Sequence, residues 1–85
     1  MRPVVLVGHQ HDCPVHGKGT VETGSPTYQF NGRAVARVGD RISCGALIVS
    51  GSASFRIDGR HVAGQGDQTD HGGVLVEGDS GWLVE

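Results

Sequence analysis

A repeat of 27 residues is the feature that most constrains the fold of this chain, because it recurs three times within 85 residues. Each copy has a glycine followed by a polar residue, an aromatic residue four positions after that glycine, and an apolar residue two positions later. Repeats of this length form small supersecondary units that bury a core only when they pack against one another. The recurring positions are Gly24, Gly51 and Gly78; Tyr28, Phe55 and Trp82; and Phe30, Ile57 and Val84.

Short strands and tight turns fill each unit. Residues 74–76 are an apolar strand before the repeated glycine, and residues 55–57 are an alternating strand after it. Asn31-Gly32 and Asp58-Gly59 predict two-residue hairpin turns, since these residue types tolerate positive φ angles. A further strand is expected over residues 34–38. No segment has the 3.6-residue apolar period of a helix, so the pattern predicts an all-β fold.

The two chain ends are expected to complete the third unit together. The third copy stops at Val84 and Glu85, where its hairpin turn should begin, while residues 3–8 align with residues 34–39. Three units closed in this way predict one domain over residues 1–85, a small pseudo-threefold cone of short strands and hairpins. Each unit is expected to bury its aromatic residue at one level. A small irregular barrel with a duplicated hairpin is the plainer alternative.

The composition limits both the core and the partners. Only 36% of the residues are hydrophobic and 5% are aromatic, and so small a domain usually needs a metal, a disulfide or a partner to stay folded. The net charge of -2 gives no reason to expect nucleic acid or an anionic membrane as a partner. The longest apolar run, residues 4–7, is too short for a membrane span or a secretory signal, so we expect a soluble chain without an ordinary export signal.

Cysteine and histidine residues gather in the loops that follow one set of glycines. Cys13, Cys44 and His71 each lie five residues after such a glycine, so they occupy equivalent positions in three units. Equivalent positions converge on a threefold axis, and these side chains are expected to meet at one end of the molecule. The first loop is four residues longer than the others and adds His16. Four Cys and His ligands predict one closed, tetrahedral, structural Zn²⁺ site. Such a site would supply the additional stabilisation that so small a core requires.

The fourth ligand and the state of the cysteines are open on the sequence alone. His11 or His9 can take the place of Cys13, although the softness of a thiolate favours Cys13. A disulfide between Cys13 and Cys44 is the other alternative. It is disfavoured in a chain that has two cysteines and no secretory signal.

The remaining polar residues favour structural roles over catalysis. His61 lies in a predicted strand, and both it and His9 are expected to be surface or hydrogen-bonded residues rather than ligands. Asp40 and Asp67 recur after the repeated glycines, so we expect them to cap turns by accepting backbone hydrogen bonds. The chain contains no phosphate loop, dinucleotide fingerprint, Ser-His-Asp candidate or HExxH pair, and we expect no enzymatic activity.

Taken together, these residues make the chain resemble the PAAR-repeat family, which forms the sharp tip of type VI secretion spikes. The resemblance covers essentially the whole chain. The second motif copy departs from the family pattern, since Gly64 stands where the first copy has Arg37. The family usually binds its metal with three His and one Cys, and His11 in place of Cys13 would restore that set. The matching segments are residues 31–40 and 58–67 and the loops at 13–17, 43–45 and 70–73.

The resemblance implies a cone with Zn²⁺ near its apex and a broad base that sits on the trimeric β-helix of the valine-glycine-repeat spike protein, one chain per trimer. It implies a structural tip, monomeric by itself, that sharpens the spike for transient membrane puncture and effector delivery, with effectors or adaptors as further partners. Such a protein stays in the cytoplasm until it assembles on the spike and is then translocated into the target cell. The tip of a phage or other contractile tail is the nearest alternative, and a small zinc-dependent hydrolase is less favoured.

Overall fold

The computed structural model covers all 85 residues and consists of short strands, bridges and turns, so the all-β prediction is confirmed. The strands are β1 (Arg2–Val4), β2 (Gln10–Cys13), β3 (Gly17–Thr20), β4 (Gln29–Phe30), β5 (Arg33–Ala34), β6 (Arg56–Ile57), β7 (Arg60–His61), β8 (Val74–Leu75) and β9 (Asp79–Val84). All pairs are antiparallel: β1 with β9, β2 with both β3 and β8, β4 with β5, and β6 with β7. No helix long and apolar enough to cross a bilayer occurs in the chain.

The same hairpin occurs three times around the molecule. Gln29 lies opposite Ala34 in the first copy, and Arg56 lies opposite His61 in the second. The chain ends make the third copy, in which β1 pairs with β9. The molecule measures 29 × 22 × 22 Å along its principal axes, and the two equal short dimensions fit a body with a threefold axis. Completion of the third unit by the N-terminal strand is therefore confirmed.

The two complete hairpins turn where the sequence predicts. Asn31 and Asp58 have φ angles of 52° and 54°, and the glycine that follows each also has a positive φ. Two successive left-handed residues form the turn type whose twist matches that of paired strands. Asn and Asp tolerate this conformation better than most residues with a Cβ atom.

The strand expected over residues 34–38 is shorter than predicted. β5 ends at Ala34, after which Val35 and Arg37 form only isolated bridges. The cause is a ring of backbone hydrogen bonds at the axis, in which Ala36 donates to Val5, Val5 donates to Ala63 and Ala63 donates to Ala36, over 2.9 to 3.0 Å. Each of the three segments bonds first to one neighbour and then to the other. No two segments therefore pair over enough residues to form a regular ladder.

The apolar core lies in two layers on either side of this ring. Neighbouring residues alternate between the layers, since Val4 belongs to one and Val5 to the other. Cys44 packs against the layer of Val5, whereas Trp82 packs against the layer of Val4. We call the end with the Cys and His loops the apex and the end with the aromatic residues the base. The first layer contains Val5, Val21, Ala36, Ile42, Ala46, Ile48, Ala63 and Leu75, and the second contains Val4, Leu6, Val35, Val62 and Val84.

The prediction that each unit buries its aromatic residue is wrong. Tyr28 and Phe55 are 48% and 39% exposed, and Trp82 is half-buried. These side chains lie at the end of the stack of layers, where no further layer covers them. They pack instead against one another, with Trp82 in contact with the rings of Tyr28, Phe30 and Phe55 at centroid distances of 5.7 to 5.9 Å.

Candidate metal centre

The apex brings together the four side chains that the repeat singled out. One potential ligand atom from each of Cys13, His16, Cys44 and His71 lies within 4.8 Å of all the others. The Cys13 thiol is buried, Cys44 and His71 are half-buried, and His16 is exposed. Four ligands that bind one ion at about 2.0 to 2.3 Å lie roughly 3.3 to 3.8 Å apart. The four side chains thus have the spacing of a metal site that needs only small inward movements.

The first loop, with its four-residue insertion, forms the β-hairpin of β2 and β3, and this hairpin positions Cys13 and His16. Cys13 is the last residue of β2 and lies opposite Gly17, the first residue of β3. The turn between the two strands brings His16 back toward Cys13, so that His16 Nδ1 lies 3.7 Å from Cys13 Sγ. Its ring lies 5.1 Å from that of His71, measured between centroids.

Cys44 and His71 come from two copies of the same tight loop. Gly45 and Gly72 follow them with positive φ angles of 93° and 78°, which residues with a Cβ atom rarely adopt. Each glycine donates its backbone N–H to the carbonyl three residues earlier. Equivalent loops on a threefold axis point their equivalent side chains at the same place, which is why these two residues meet Cys13.

The chemistry of the cluster fits a metal ion. His71 Nδ1 is buried and has no hydrogen-bond partner, which costs free energy unless that nitrogen binds something. The other ring nitrogen, Nε2, lies 4.0 Å from a carboxylate oxygen of Asp70, which is too far for a hydrogen bond. Two thiols and two imidazoles are donors typical of zinc and of other borderline-soft ions. The cluster can therefore hold a metal ion, with Cys13, His16, Cys44 and His71 as the candidate ligands.

The two alternative histidines lie outside this cluster. His11 is fully buried two residues before Cys13, and its Nε2 lies 2.9 Å from Thr69 Oγ1. Burial lowers its pKa, while Asp12 raises it and His71 lowers it further. His9 is also buried, and its Nδ1 accepts the backbone N–H of Leu6 at 3.0 Å. Each of these histidines therefore has one hydrogen-bonded ring nitrogen, and His11 Nδ1, like His71 Nδ1, is buried without a partner.

The predicted capping role of Asp40 and Asp67 is confirmed. Asp40 Oδ2 accepts the backbone N–H of Arg37 at 2.7 Å, and Asp67 Oδ2 accepts that of Gly64 at the same distance. His9 occupies the equivalent position in the third unit and accepts the equivalent backbone N–H. The sequence signal for this role of His9 was its position directly after Gly8, because Gly8-His9 aligns with Gly39-Asp40 in the repeat.

The missing arginine of the second motif copy is replaced from elsewhere in the chain. In the first copy Arg37 lies 3.3 Å from both Asp40 and Asp58. In the second copy Arg2 reaches Asp67 at 2.6 Å. A Cβ atom at Gly64 would lie 3.3 Å from the Arg2 guanidinium carbon, so the glycine provides the space. Sequence reasoning missed this substitution, because no local pattern connects Arg2 with Asp67.

The chain is thus a three-unit β-cone with a cluster of Cys and His side chains at one end. A family model described as the PAAR motif matches residues 1–50, more than half of the chain, and the chain belongs to that family. The PAAR motif is associated with spike-tip proteins of contractile injection systems, and the family is structural rather than enzymatic. No curated protein matches the chain closely enough to extend this assignment.

Proposed function

We propose that this protein caps the trimeric valine-glycine-repeat spike of a type VI secretion system and sharpens it for membrane puncture and effector delivery. The observation that carries the proposal is the presence of three nearly equal units around one axis within one chain. A partner with threefold symmetry can present the same surface to each unit, and its own axis then fixes the stoichiometry at one chain per trimer. The protein would remain in the cytoplasm until this assembly and then be carried into the target cell.

The base has the properties of a docking surface. Tyr28 and Phe55 expose 48% and 39% of their surface, and the rings of both pack against the half-buried Trp82. Exposed aromatic and apolar residues that lie together are typical of protein interfaces. This patch supports a contact with the spike through the base.

Three hydrogen bonds between units stiffen the base. The turn residue of each hairpin, or the chain end that replaces it, bonds to the neighbouring unit: Asp58 to Thr27 at 3.0 Å, Glu85 to Ser54 at 2.7 Å, and Asn31 to Asp79 at 2.7 Å. Every unit is tied to the next, so the ring is closed. A base held in this way keeps its shape when it is loaded along its axis.

At the apex we propose one structural Zn²⁺ held by Cys13, His16, Cys44 and His71. A tetrahedral ion with four protein ligands has no open position for water, which is the arrangement of structural rather than catalytic zinc. The ion would tie the inserted hairpin to the Cys44 and His71 loops. A point locked in this way resists deformation when force is applied to it.

Native mass spectrometry with the candidate spike trimer tests the proposal. We expect one chain and one zinc ion per trimer, and we expect Tyr28→Glu to abolish the complex by placing a charge in the apolar patch. Val15→Glu is the matched control, since Val15 is 71% exposed in the apex hairpin. Asn31 and Asp58 are unsuitable targets because they hold the contacts between units. A complex with three chains per trimer, or one lost with Val15→Glu and kept with Tyr28→Glu, would overturn the proposal.

A further inference from the structure

Both cysteines of the chain lie in the apex cluster. Cys13 and Cys44 are the two cysteines of the sequence, they are free thiols, and their sulfur atoms lie within 4.8 Å of each other. They belong to two loops whose cysteines are 31 positions apart in the chain. A disulfide requires the sulfurs to approach to about 2.05 Å, so the gap that must close is less than about 3 Å. No third thiol competes for either of them.

We propose that Cys13 and Cys44 form a redox-sensitive pair, which a peroxide converts into a disulfide with release of the metal ion. This inference rests on the proposed metal centre. The disulfide and the metal site are then two alternative states of the same apex.

The exposure of the two thiols sets the order of the steps. Cys44 is half-buried while Cys13 is 2% exposed, so the Cys44 sulfur meets a dissolved peroxide first. Its thiolate attacks one peroxide oxygen, the O–O bond breaks, and hydroxide leaves to give a sulfenic acid. The Cys13 sulfur then attacks the Cys44 sulfur, the S–O bond breaks, and the second hydroxide leaves. Two electrons pass from the sulfurs to hydrogen peroxide, and two protons from solvent complete two water molecules.

Disulfide formation removes two of the four metal ligands. The two that remain are imidazoles, and one of them, His16, is on an exposed turn. The metal is therefore released. The disulfide keeps the first two apex loops tied together and leaves only the His71 loop without its link. A covalent link across 31 positions restricts the unfolded chain, so the oxidised protein is expected to melt above the reduced, metal-free protein.

The third unit provides a control residue for this inference. His71 occupies the position that Cys44 occupies in the second unit, so an imidazole suits the site there. Cys44→His should retain the metal ion while it removes the partner that a disulfide needs. Cys13→Ser leaves Cys44 without its resolving thiol, and Cys44→Ser leaves only the buried Cys13.

The experiment treats zinc-loaded protein with hydrogen peroxide and follows zinc with a colorimetric chelator, disulfide formation by intact mass, and the melting temperature. We expect the wild type to lose two hydrogens and release one zinc together, and Cys44→His to retain its zinc. We expect dimedone to trap a sulfenic acid in Cys13→Ser and at most a trace in Cys44→Ser. Dithiothreitol followed by zinc should restore the starting state.

The outcomes distinguish a failure of the metal centre from a failure of the redox pair. Protein that contains no zinc before oxidation would contradict the metal centre itself. Protein that contains zinc and keeps it without forming the disulfide would contradict the redox pair and leave the metal centre standing. Zinc release from Cys44→His at the wild-type rate would also contradict the pair, since the metal would then leave by a route that does not require two thiols.

Discussion

The apex and the base of this cone are held together by different kinds of interaction. The apex consists of loops whose side chains include the exposed Val15 and His16, and its candidate ligands are drawn from three separate loops. The base has a cluster of aromatic rings around Trp82 and a closed ring of hydrogen bonds between units. Beyond the apolar layer beneath it, the apex therefore depends on ligand chemistry, and hence on metal and redox conditions, whereas the base depends on ring packing and hydrogen bonds between units.

Loss of a candidate metal ligand is the change with the largest expected effect. Structural zinc contributes on the order of 10 kcal/mol of binding free energy that is coupled to folding, so Cys44→Ala or His71→Ala should greatly lower the melting temperature and the zinc content. His61→Ala is the control, because the His61 Nδ1 bonds to the Ser52 carbonyl away from the cluster and its loss should cost about 1 kcal/mol. Equal losses of stability at the two kinds of position would break the contrast between apex and base.

Loss of the buried ion pair between Arg37 and Asp40 is expected to cause the next largest decrease in the free energy of unfolding. Asp40→Ala removes a partner of the Arg37 guanidinium, and both side chains are at least nine-tenths buried. Breaking a buried pair costs about 3 to 5 kcal/mol, and we expect the lower end of this range because Arg37 keeps its contact with Asp58 at 3.3 Å. Asp67→Ala removes the same backbone acceptor, but its cation, Arg2, is 32% exposed and can be solvated. We expect a clearly smaller loss there, and urea unfolding of both variants would reveal it.

Trp82 tests whether packing carries the base. Trp82→Ala removes contacts with three rings, and for a half-buried side chain we expect a loss of about 2 to 3 kcal/mol in the free energy of unfolding. Tyr28→Ala should cost about 1 kcal/mol, because nearly half of Tyr28 is already exposed. Zinc content should be unchanged in both variants. If Trp82→Ala protein bound no metal, the two ends could not be treated as separately stabilised.

The smallest expected effect is a pH dependence at His9. Burial is the main cause of its lowered pKa, with Arg33 adding to the lowering and Glu77 and Asp79 opposing it. The folded state therefore favours the neutral ring, and the stability that this ring contributes is present above its unfolded pKa of about 6.5 and lost as the pH falls below that value.

His9→Asn keeps an acceptor for the Leu6 N–H but cannot titrate in this range. We expect wild type and variant to differ by about 1 kcal/mol or less near pH 7.5, and the wild type to lose more stability than the variant between pH 6.5 and 5. The other histidines are common to both proteins, so their contributions cancel in the difference. Parallel stability curves over this range would exclude the effect.

The repeat determined most of the fold from the sequence alone. Its phase located the hairpin turns at Asn31 and Asp58, the closure of the third unit by β1, and the equivalence of Cys13, Cys44 and His71. These features follow from local conformational preferences and from the symmetry of the repeat, and both can be read from the amino-acid sequence. The position of the cluster at one end follows for the same reason, since equivalent loops of a threefold body must meet on its axis.

The contacts between individual side chains follow from packing, and the repeat could not predict them. Cys13 lies in the cluster of candidate ligands, whereas His11 Nε2 lies 2.9 Å from Thr69 Oγ1, and the sequence alone could not distinguish these two placements. The replacement of a lost arginine by Arg2 depends on the space beside Gly64. The exposure of the aromatic residues depends on where the stack of layers ends. Contacts of this kind join distant segments through packing, and the periodicity of the sequence specifies the positions of those segments but not the distances between their side chains.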